Sequence, residues 1–253
     1  MSKSIYARGI DVSKWQGVID WQAVKNSGVE FALIRAGYGD TISYPYQIDE
    51  QFQRNYSECK KVGLPVGAYW YSYATTTTDA IQEAKSCIKL LSGKQFEYPI
   101  YYDVEELRTF NSGKTNEIIQ AFCTELENAG YYVGVYIFRS AVQTYLNDRT
   151  RTRYTMAIAE YDNKLNYNGS YDIWQYSSTE KINGIKTAVD GDYCYTDFPT
   201  IIKQRGKNGY IAKTGVIIAD IGDTFTHAGK VYKVQPRTGV NVSFEGVRNY
   251  EVY

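Results

Sequence analysis

The sequence contains Tyr98-Pro99-Ile100-Tyr101-Tyr102-Asp103-Val104-Glu105, a short apolar and aromatic run that ends in two acids. Such a run predicts a buried strand, with the acids where the strand reaches the surface. Side chains two residues apart on a strand share a face, so Asp103 and Glu105 should project together with Cα atoms about 6.6–7 Å apart. Two such carboxylates repel each other, which would separate their pKa values and suit acid-assisted hydrolysis of a glycoside. Two solvated acids at a strand end are an equally good interpretation of these eight residues alone.

Strand-like and helix-like patterns alternate through the first two hundred residues. Strands are predicted at 6–11, 31–36, 65–73, 98–104, 131–137, 154–160, 171–176 and 187–190, and helices at 20–26, 50–62, 77–92, 114–129 and 139–147. This alternation predicts an α/β fold with a mainly parallel sheet, and about eight strands predict a TIM-like (β/α) barrel. Because helices become short or absent after residue 150, the last third of the barrel should be irregular.

A polar, glycine-containing joint near residue 205 precedes a different pattern of short alternating runs. We therefore predict a main domain over residues 1–204 and a small all-β C-terminal module over residues 205–253. A module of this size has little stability alone, so it should pack on the main domain or on copies of itself. Its larger aromatic residues could contact a partner or form its own core: Tyr210, Phe225, Tyr232 and Phe244.

Composition argues against several classes of partner. The 28 basic and 28 acidic residues balance, which gives no electrostatic case for nucleic acid. No stretch approaches the roughly 20 apolar residues of a membrane span, and residues 1–8 lack a signal-peptide core, so we expect no membrane insertion and synthesis in a cytoplasm. The cysteines form no C-x-x-C pair and are expected to be free, packed thiols: Cys59, Cys87, Cys123 and Cys194.

Carboxylates are the main catalytic groups that the sequence offers. The single histidine, His227, lies in the C-terminal module, so the main domain has no Ser-His or Cys-His pair and no H-E-x-x-H motif. It also has no G-x-S-x-G elbow and no P-loop, and we expect no cofactor and no metal. Acids end the first and a late strand at Asp11 and Asp190. In a parallel barrel they should converge with Asp103 and Glu105 on one face, although Asp11 taken alone could equally cap a helix.

A family resemblance is carried by segments in chain order: Ile10–Gly17, Phe31–Gly39, Gly67–Tyr73, Asp103–Glu105, Ile158–Tyr161, Ile173–Ser178 and Val189–Asp190. They resemble motifs of the glycoside hydrolase family 25 lysozymes, the Chalaropsis-type muramidases, from residue 5 to about residue 200. The resemblance implies an irregular β/α barrel that cleaves the β-1,4 bond between N-acetylmuramic acid and N-acetylglucosamine in bacterial peptidoglycan. It further suggests a phage endolysin released by a holin, with a secreted autolysin or a virion-borne lysin as alternatives. The C-terminal module would then bind the wall or mediate self-association.

The resemblance also implies roles for individual residues. Glu105 matches the general acid, and Asp103 matches the carboxylate that steadies developing positive charge or the substrate's acetamido group. Asp11 and Asp190 match two further acids of the groove floor. The aromatic positions that line the family's sugar groove match Tyr69, Tyr71, Tyr136, Tyr161 and Trp174. Arg35 lies nearby in the motifs and is expected to orient the carboxylates. The family's usual Asp-x-Asn is here an Asp-Gly-Asp ending at Asp192, and we favour Asp190 as the acid that faces the groove.

The mechanism and the function each have alternatives at this stage. The expected separation of Asp103 and Glu105, about 7 Å, is too wide for a retaining mechanism in which an enzyme carboxylate is the nucleophile. It lies at the lower end of the separations found in inverting glycosidases. We therefore hypothesise substrate assistance, in which Glu105 protonates the leaving oxygen and Asp103 orients the acetamido group. A chitinase-like N-acetylglucosaminidase would need an acid where Tyr101 stands. A non-catalytic peptidoglycan- or glycan-binding barrel would have lost an acid, and a purely structural barrel does not explain acids at three strand ends.

Overall fold

The computed structural model describes residues 4–212 and two short strands at residues 224–227 and 230–233. Eight strands close into a barrel and follow one another around it in chain order. They are β1 (Ala7–Val12), β2 (Phe31–Tyr38), β3 (Val66–Tyr71), β4 (Ile100–Asp103), β5 (Val133–Phe138), β6 (Thr155–Ala159), β7 (Ile173–Glu180) and β8 (Val189–Cys194). The predicted α/β barrel is confirmed.

Helices cover the outside of this barrel. Those in the described part of the chain are α1 (Trp21–Asn26), α2 (Phe52–Val62), α3 (Thr77–Leu91), α4 (Leu107–Asn111), α5 (Thr115–Asn128), α6 (Arg139–Tyr145), α7 (Asp148–Arg153) and α8 (Phe198–Gln204). The sequence missed α4, α7 and α8, because helices of two turns or less are too short to show a clear apolar period. No helix joins β6 to β7 or β7 to β8 within residues 160–188, which confirms the irregular last third.

Strands β1 to β7 run parallel, whereas β8 runs antiparallel to both of its neighbours. The cause is the short connection between β7 and β8. A parallel neighbour needs a crossover of about a dozen residues or more, and residues 181–188 are too few. Strand β8 therefore returns beside β7 and closes the barrel against β1, which places Asp190 opposite Asp11.

Aromatic side chains fill the interior of the barrel at the end where the parallel strands begin. Phe31 stacks on Tyr98 with ring centroids 4.3 Å apart, and Phe198 of α8 packs edge-on against Tyr98 at 5.9 Å. Glycine makes room for this floor, because a side chain at Gly9 would collide with the ring of Phe31. The remaining open space in the barrel lies at the carboxyl ends of the strands.

Several smaller predictions can also be compared with the structure. All four cysteines are buried and free, as predicted. Among the described residues, no helix is long and apolar enough to cross a membrane. Of the predicted C-terminal module, the structure describes an antiparallel pair, β9 (Thr224–His227) and β10 (Lys230–Lys233). Phe244 and the side chains of Phe225 and Tyr232 lie outside what the structure describes.

The segment that follows α8 packs on the barrel, although the sequence assigns it to the second module. Asn208 in this segment is fully buried and has a left-handed backbone with φ of 56°. Its side-chain amide donates to the carbonyl of Tyr98 at 2.8 Å, and its amide oxygen accepts from the N–H of Tyr132 at 2.7 Å. Tyr210 also donates a hydrogen bond to Glu97. This segment therefore belongs structurally with the barrel.

Replacing Asn208 should destabilise the barrel by removing its hydrogen bonds to the buried carbonyl of Tyr98 and to the part-buried N–H of Tyr132. We expect Asn208→Gly, which tolerates the positive φ, to lower the free energy of unfolding by about 2–4 kcal/mol. Asn208→Ala should cost about 1 kcal/mol more, because its Cβ is strained in the left-handed region. Urea unfolding followed by tryptophan fluorescence measures both. Asn163→Gly, at an exposed position, is the control, and an unchanged midpoint for Asn208→Gly would contradict the assignment.

Candidate active site

A cavity of about 370 Å³ opens at the carboxyl ends of the barrel strands. Nine of the ten residues predicted for the site line it: Asp11, Arg35, Tyr69, Tyr71, Asp103, Glu105, Tyr136, Tyr161 and Asp190. They come from strands that are far apart in sequence, and the barrel brings them together. Further lining residues include Ser13, Trp15, Gln16, Phe138 and Gln175.

A second, wider concavity of about 850 Å³ lies on the flank of the barrel, between α1, α2 and residues 183–186. Its acids already have structural partners. Asp20 caps the amino terminus of α1, and Glu58 lies 3.8 Å from the ammonium of Lys61. This surface lacks a group of converging carboxyls, so the smaller cavity is the candidate active site.

Glu105 is a cavity acid with a pKa raised to near neutrality. It follows the end of β4 by two residues and is half-buried. Burial raises its pKa to about 7, and the charges of Glu106 and Asp190 contribute to the rise. Sequence reasoning missed Glu106, whose charge adds to this rise. Glu106 is fixed in place by a hydrogen bond of 2.9 Å from the hydroxyl of Tyr71.

Asp103 lies deeper than Glu105, as the last residue of β4. Its side chain is only 5% exposed, and its Oδ1 accepts no hydrogen bond from the described residues. Burial and the nearby Glu105 raise the pKa of Asp103 well above its usual range, while the charge of Arg35 opposes this rise. Burial of Asp103 thus favours the neutral form of its carboxyl.

Arg35 acts on the carboxyls through its charge rather than through a direct hydrogen bond. Its Nε donates to the buried Asp49 at 2.8 Å. Asp49 also accepts a hydrogen bond of 2.9 Å from the backbone N–H of Lys14, which ties the loops after β1 and β2 together. Sequence reasoning missed Asp49, because its loop position has no periodic signal.

Asp11 and Asp190 face each other across the β1–β8 pairing. Burial, then the charges of Asp190 and Asp192, raise the pKa of Asp11 well above its usual range. Burial raises the pKa of Asp190, and its hydrogen bond with Asp11 opposes that rise. Asp192 points to the same face but lies deeper, at 1% exposure, and does not line the cavity. Of Asp190 and Asp192, Asp190 is therefore the acid that lines the cavity.

Gln175 organises the wall between the acids and the tyrosines, and sequence reasoning missed it. Its side-chain oxygen accepts from the hydroxyls of Tyr136 at 2.8 Å and Tyr161 at 2.9 Å. Its amide nitrogen donates to Asp11. Gln175 thus links strands β1, β5 and β7, and the loop after β6, at the level of the cavity.

Trp174 does not line the cavity, so its predicted place in the sugar groove is corrected. Its indole N–H donates to the carbonyl of Glu160 at 2.8 Å, and its ring packs near Tyr176 and Tyr193 with centroids 6.0 and 5.9 Å away. Alternation along β7 is the reason, because Gln175 points inward and its neighbour must point outward. The alternation of side chains along β7 was visible in the sequence, but it did not show which of the two faces of the strand points into the barrel.

Comparison with known proteins identifies the family to which the chain is similar. The family model for glycosyl hydrolases family 25 matches residues 10–185. An autolytic lysozyme of Clostridium acetobutylicum is 32% identical over 186 residues, which cover 73% of this chain and 55% of that protein. The modular autolysin LytC of Streptococcus pneumoniae, solved with a synthetic peptidoglycan ligand, has 31% identity and a TM-score of 0.67 over 75% of this chain and 46% of that one.

The lysozyme of Streptomyces coelicolor is similar in fold, with a TM-score of 0.66 and 22% identity over 78% of this chain and 95% of that one. The chain therefore spans about half the length of the clostridial and streptococcal proteins, and nearly the whole of the streptomycete one. The family match covers more than half of the chain, from β1 to the connection between β7 and β8. By this match, the chain belongs to glycosyl hydrolase family 25.

Proposed function

We propose that this chain is a peptidoglycan hydrolase, a lysozyme that cleaves the β-1,4 bond between N-acetylmuramic acid and N-acetylglucosamine. The observation that carries the proposal is the convergence of Asp11, Asp103, Glu105 and Asp190 in one cavity walled by tyrosines. Carboxyl groups with separated pKa values are what glycoside hydrolysis requires. The autolytic lysozyme and the autolysin with a peptidoglycan ligand support the choice of substrate.

Glu105 is the general acid in this proposal. A pKa of about 7 keeps a large fraction of its carboxyl protonated at neutral pH, so that it can give its proton to the leaving oxygen as the glycosidic bond breaks. The hydroxyl of Tyr71 binds Glu106 at 2.9 Å, which holds the second charge beside the acid. Glu106 therefore tunes the acid without taking part in the proton transfer.

Asp103 is proposed to assist the substrate rather than attack it. A nucleophilic carboxylate must be ionised, and the burial of Asp103 favours its neutral form. The acetamido oxygen of the sugar would instead attack the anomeric carbon and displace the leaving oxygen, which takes the proton of Glu105. Water then opens the cyclic intermediate and returns a proton to Glu105. Asp103 orients the acetamido group throughout, and the groove acids Asp11 and Asp190 position the substrate or the water.

The alternative functions are less well supported. A chitinase-like enzyme would need an acid where Tyr101 stands, and Tyr101 is fully buried in the barrel. A non-catalytic glycan-binding barrel has no need for Glu105 to carry a pKa of about 7 beside other acids. Hydrolysis therefore accounts for more of the site than binding alone.

The place of action is proposed as the bacterial cell wall. Release of an endolysin by a holin-type pore is the route that we favour, and export as an autolysin or delivery on a virion are the alternatives. We propose that the C-terminal module binds the wall or mediates self-association. The main domain would then supply the hydrolysis and the module would keep it near its insoluble substrate.

Removing the proposed acid should abolish lysis without disturbing the fold. We expect Glu105→Gln to lower the rate of release of reducing ends from purified walls about 10²–10⁴-fold, the range of a general acid. Circular dichroism should be unchanged, because Glu105 follows the strand rather than belonging to it. Glu106→Gln, assayed at acid pH, is the matched control and should keep most of the rate. A Glu105→Gln variant with normal activity would refute the assignment.

The pH profile should report the ionisation of Glu105. A general acid is active when protonated, so the rate should fall as pH rises through about 7. Because Glu106 raises this pKa by repulsion, Glu106→Gln should move the alkaline limb to lower pH. Initial rates on a soluble glycan across the pH range test both statements, and an alkaline limb that is the same in the two enzymes would count against the coupling.

Substrate assistance predicts the stereochemistry of the product. Two successive displacements at the anomeric carbon retain its β configuration, whereas direct attack by water would invert it. We expect β-anomer as the first product when hydrolysis is followed by proton NMR before the anomers equilibrate. Initial α-anomer would show inversion and would remove the assisting role of Asp103.

A further inference from the structure

Trp15 is the tryptophan that the fold leaves in water. All four tryptophans lie in the described part of the chain, and Trp21, Trp70 and Trp174 are 2%, 0% and 8% exposed. Trp15 is 71% exposed and lines the cavity that holds the acids. A large apolar ring gains free energy from burial, so an indole kept in solvent at the rim of a cavity is available to a ligand.

The backbone around Trp15 is fixed by its own turn. Trp15 lies in a 3₁₀ turn over Lys14–Gln16 that begins with a capping box. The hydroxyl of Ser13 accepts from the N–H of Trp15 at 3.3 Å, and the side-chain oxygen of Gln16 accepts from the N–H of Ser13 at 2.9 Å. Gln16 also donates to the carbonyl of Ala188 at 3.3 Å, beside the closing strand. The ring is thus presented from a fixed position.

Lys14 anchors the same turn to the catalytic side of the barrel. Its backbone N–H donates to Asp49 at 2.9 Å, and Asp49 holds Arg35 at 2.8 Å inside the cavity. Its ammonium lies 5.1 Å from the centroid of the Trp15 ring, within the range of a cation–π contact. Lys14 therefore occupies one face of the indole and leaves the other face for a ligand.

We propose that the open face of Trp15 stacks on a sugar ring of the glycan strand, beyond the sugars held at the carboxyls. The proposal rests on the proposed function and extends its site. A pyranose ring has an apolar C–H face that matches a flat aromatic surface, and the ring's hydroxyls stay in water at the rim. Because the turn is already ordered, little conformational entropy is lost on binding. The platform makes the enzyme prefer long glycan strands to short fragments.

The test measures glycan binding in the Glu105→Gln background, so that the probe stays intact. The probes are a hexasaccharide and a disaccharide of alternating N-acetylglucosamine and N-acetylmuramic acid. We expect Trp15→Ala to raise the Kd for the hexasaccharide about tenfold and to leave the disaccharide within about twofold. Trp15→Phe, which keeps a flat ring, should recover most of the loss. In the parent, the hexasaccharide should protect tryptophan fluorescence from acrylamide, because the other three indoles are buried.

A matched control is available in Tyr46, which is 72% exposed but does not line the cavity. Tyr46→Ala should bind both probes as the parent does. Equal hexasaccharide binding by Trp15→Ala and the parent would overturn the platform and leave the proposed function standing. Absence of hexasaccharide binding in the parent would remove both proposals.

Discussion

The hydrogen bonds between β8 and β1 are the interaction on which the site depends. They close the barrel and set Asp190 opposite Asp11. A slip of one residue in this register would turn Asp190 and Asp192 out of the barrel, because successive side chains on a strand alternate between faces. The same closure brings Gln175 of β7 to Asp11. The short link between β7 and β8, which forces β8 to run antiparallel, is therefore part of the design of the site.

Closing the barrel around acids has a cost in stability. Burial raises the pKa values of Asp11, Asp103 and Asp192 well above their usual range. When the pKa of a carboxyl is higher in the folded state than in the unfolded state, the free energy of unfolding falls as pH rises between these two pKa values. The aromatic floor offsets this cost, since rings such as Phe31 and Tyr98 are fully buried and stacked at 4.3 Å. The cavity is thus supported by the packing beneath it.

Strand and helix periodicity predicted the barrel, and the barrel rule predicted that acids at strand ends would converge. The rule that the carboxyl ends of parallel barrel strands meet on one face requires only the order of strands and helices, which can be predicted from the sequence. The contacts of Asp49 and Glu106 were not predictable, because both residues lie outside the strands and meet their partners only in three dimensions. The sequence of β7 also did not show that Gln175 points into the barrel and Trp174 points out of it, because alternation alone does not identify the inner face of a strand. Residues 205–210 resemble a linker in sequence because they are polar and contain glycine, and the burial of Asn208 against the barrel is visible only in three dimensions.

Depth along one short segment separates the tasks of the two central carboxyls. Asp103 is the last residue of β4 and is 5% exposed, so burial dominates its ionisation. Glu105 lies two residues further on, where the strand has ended, and half-burial with neighbouring charges holds its pKa at about 7. A pair placed deeper would leave both carboxyls neutral, and a pair placed further out would leave both ionised. The end of β4 between them therefore brings the pKa of one carboxyl near neutrality and keeps the other carboxyl buried, which is the difference that the proposed mechanism uses.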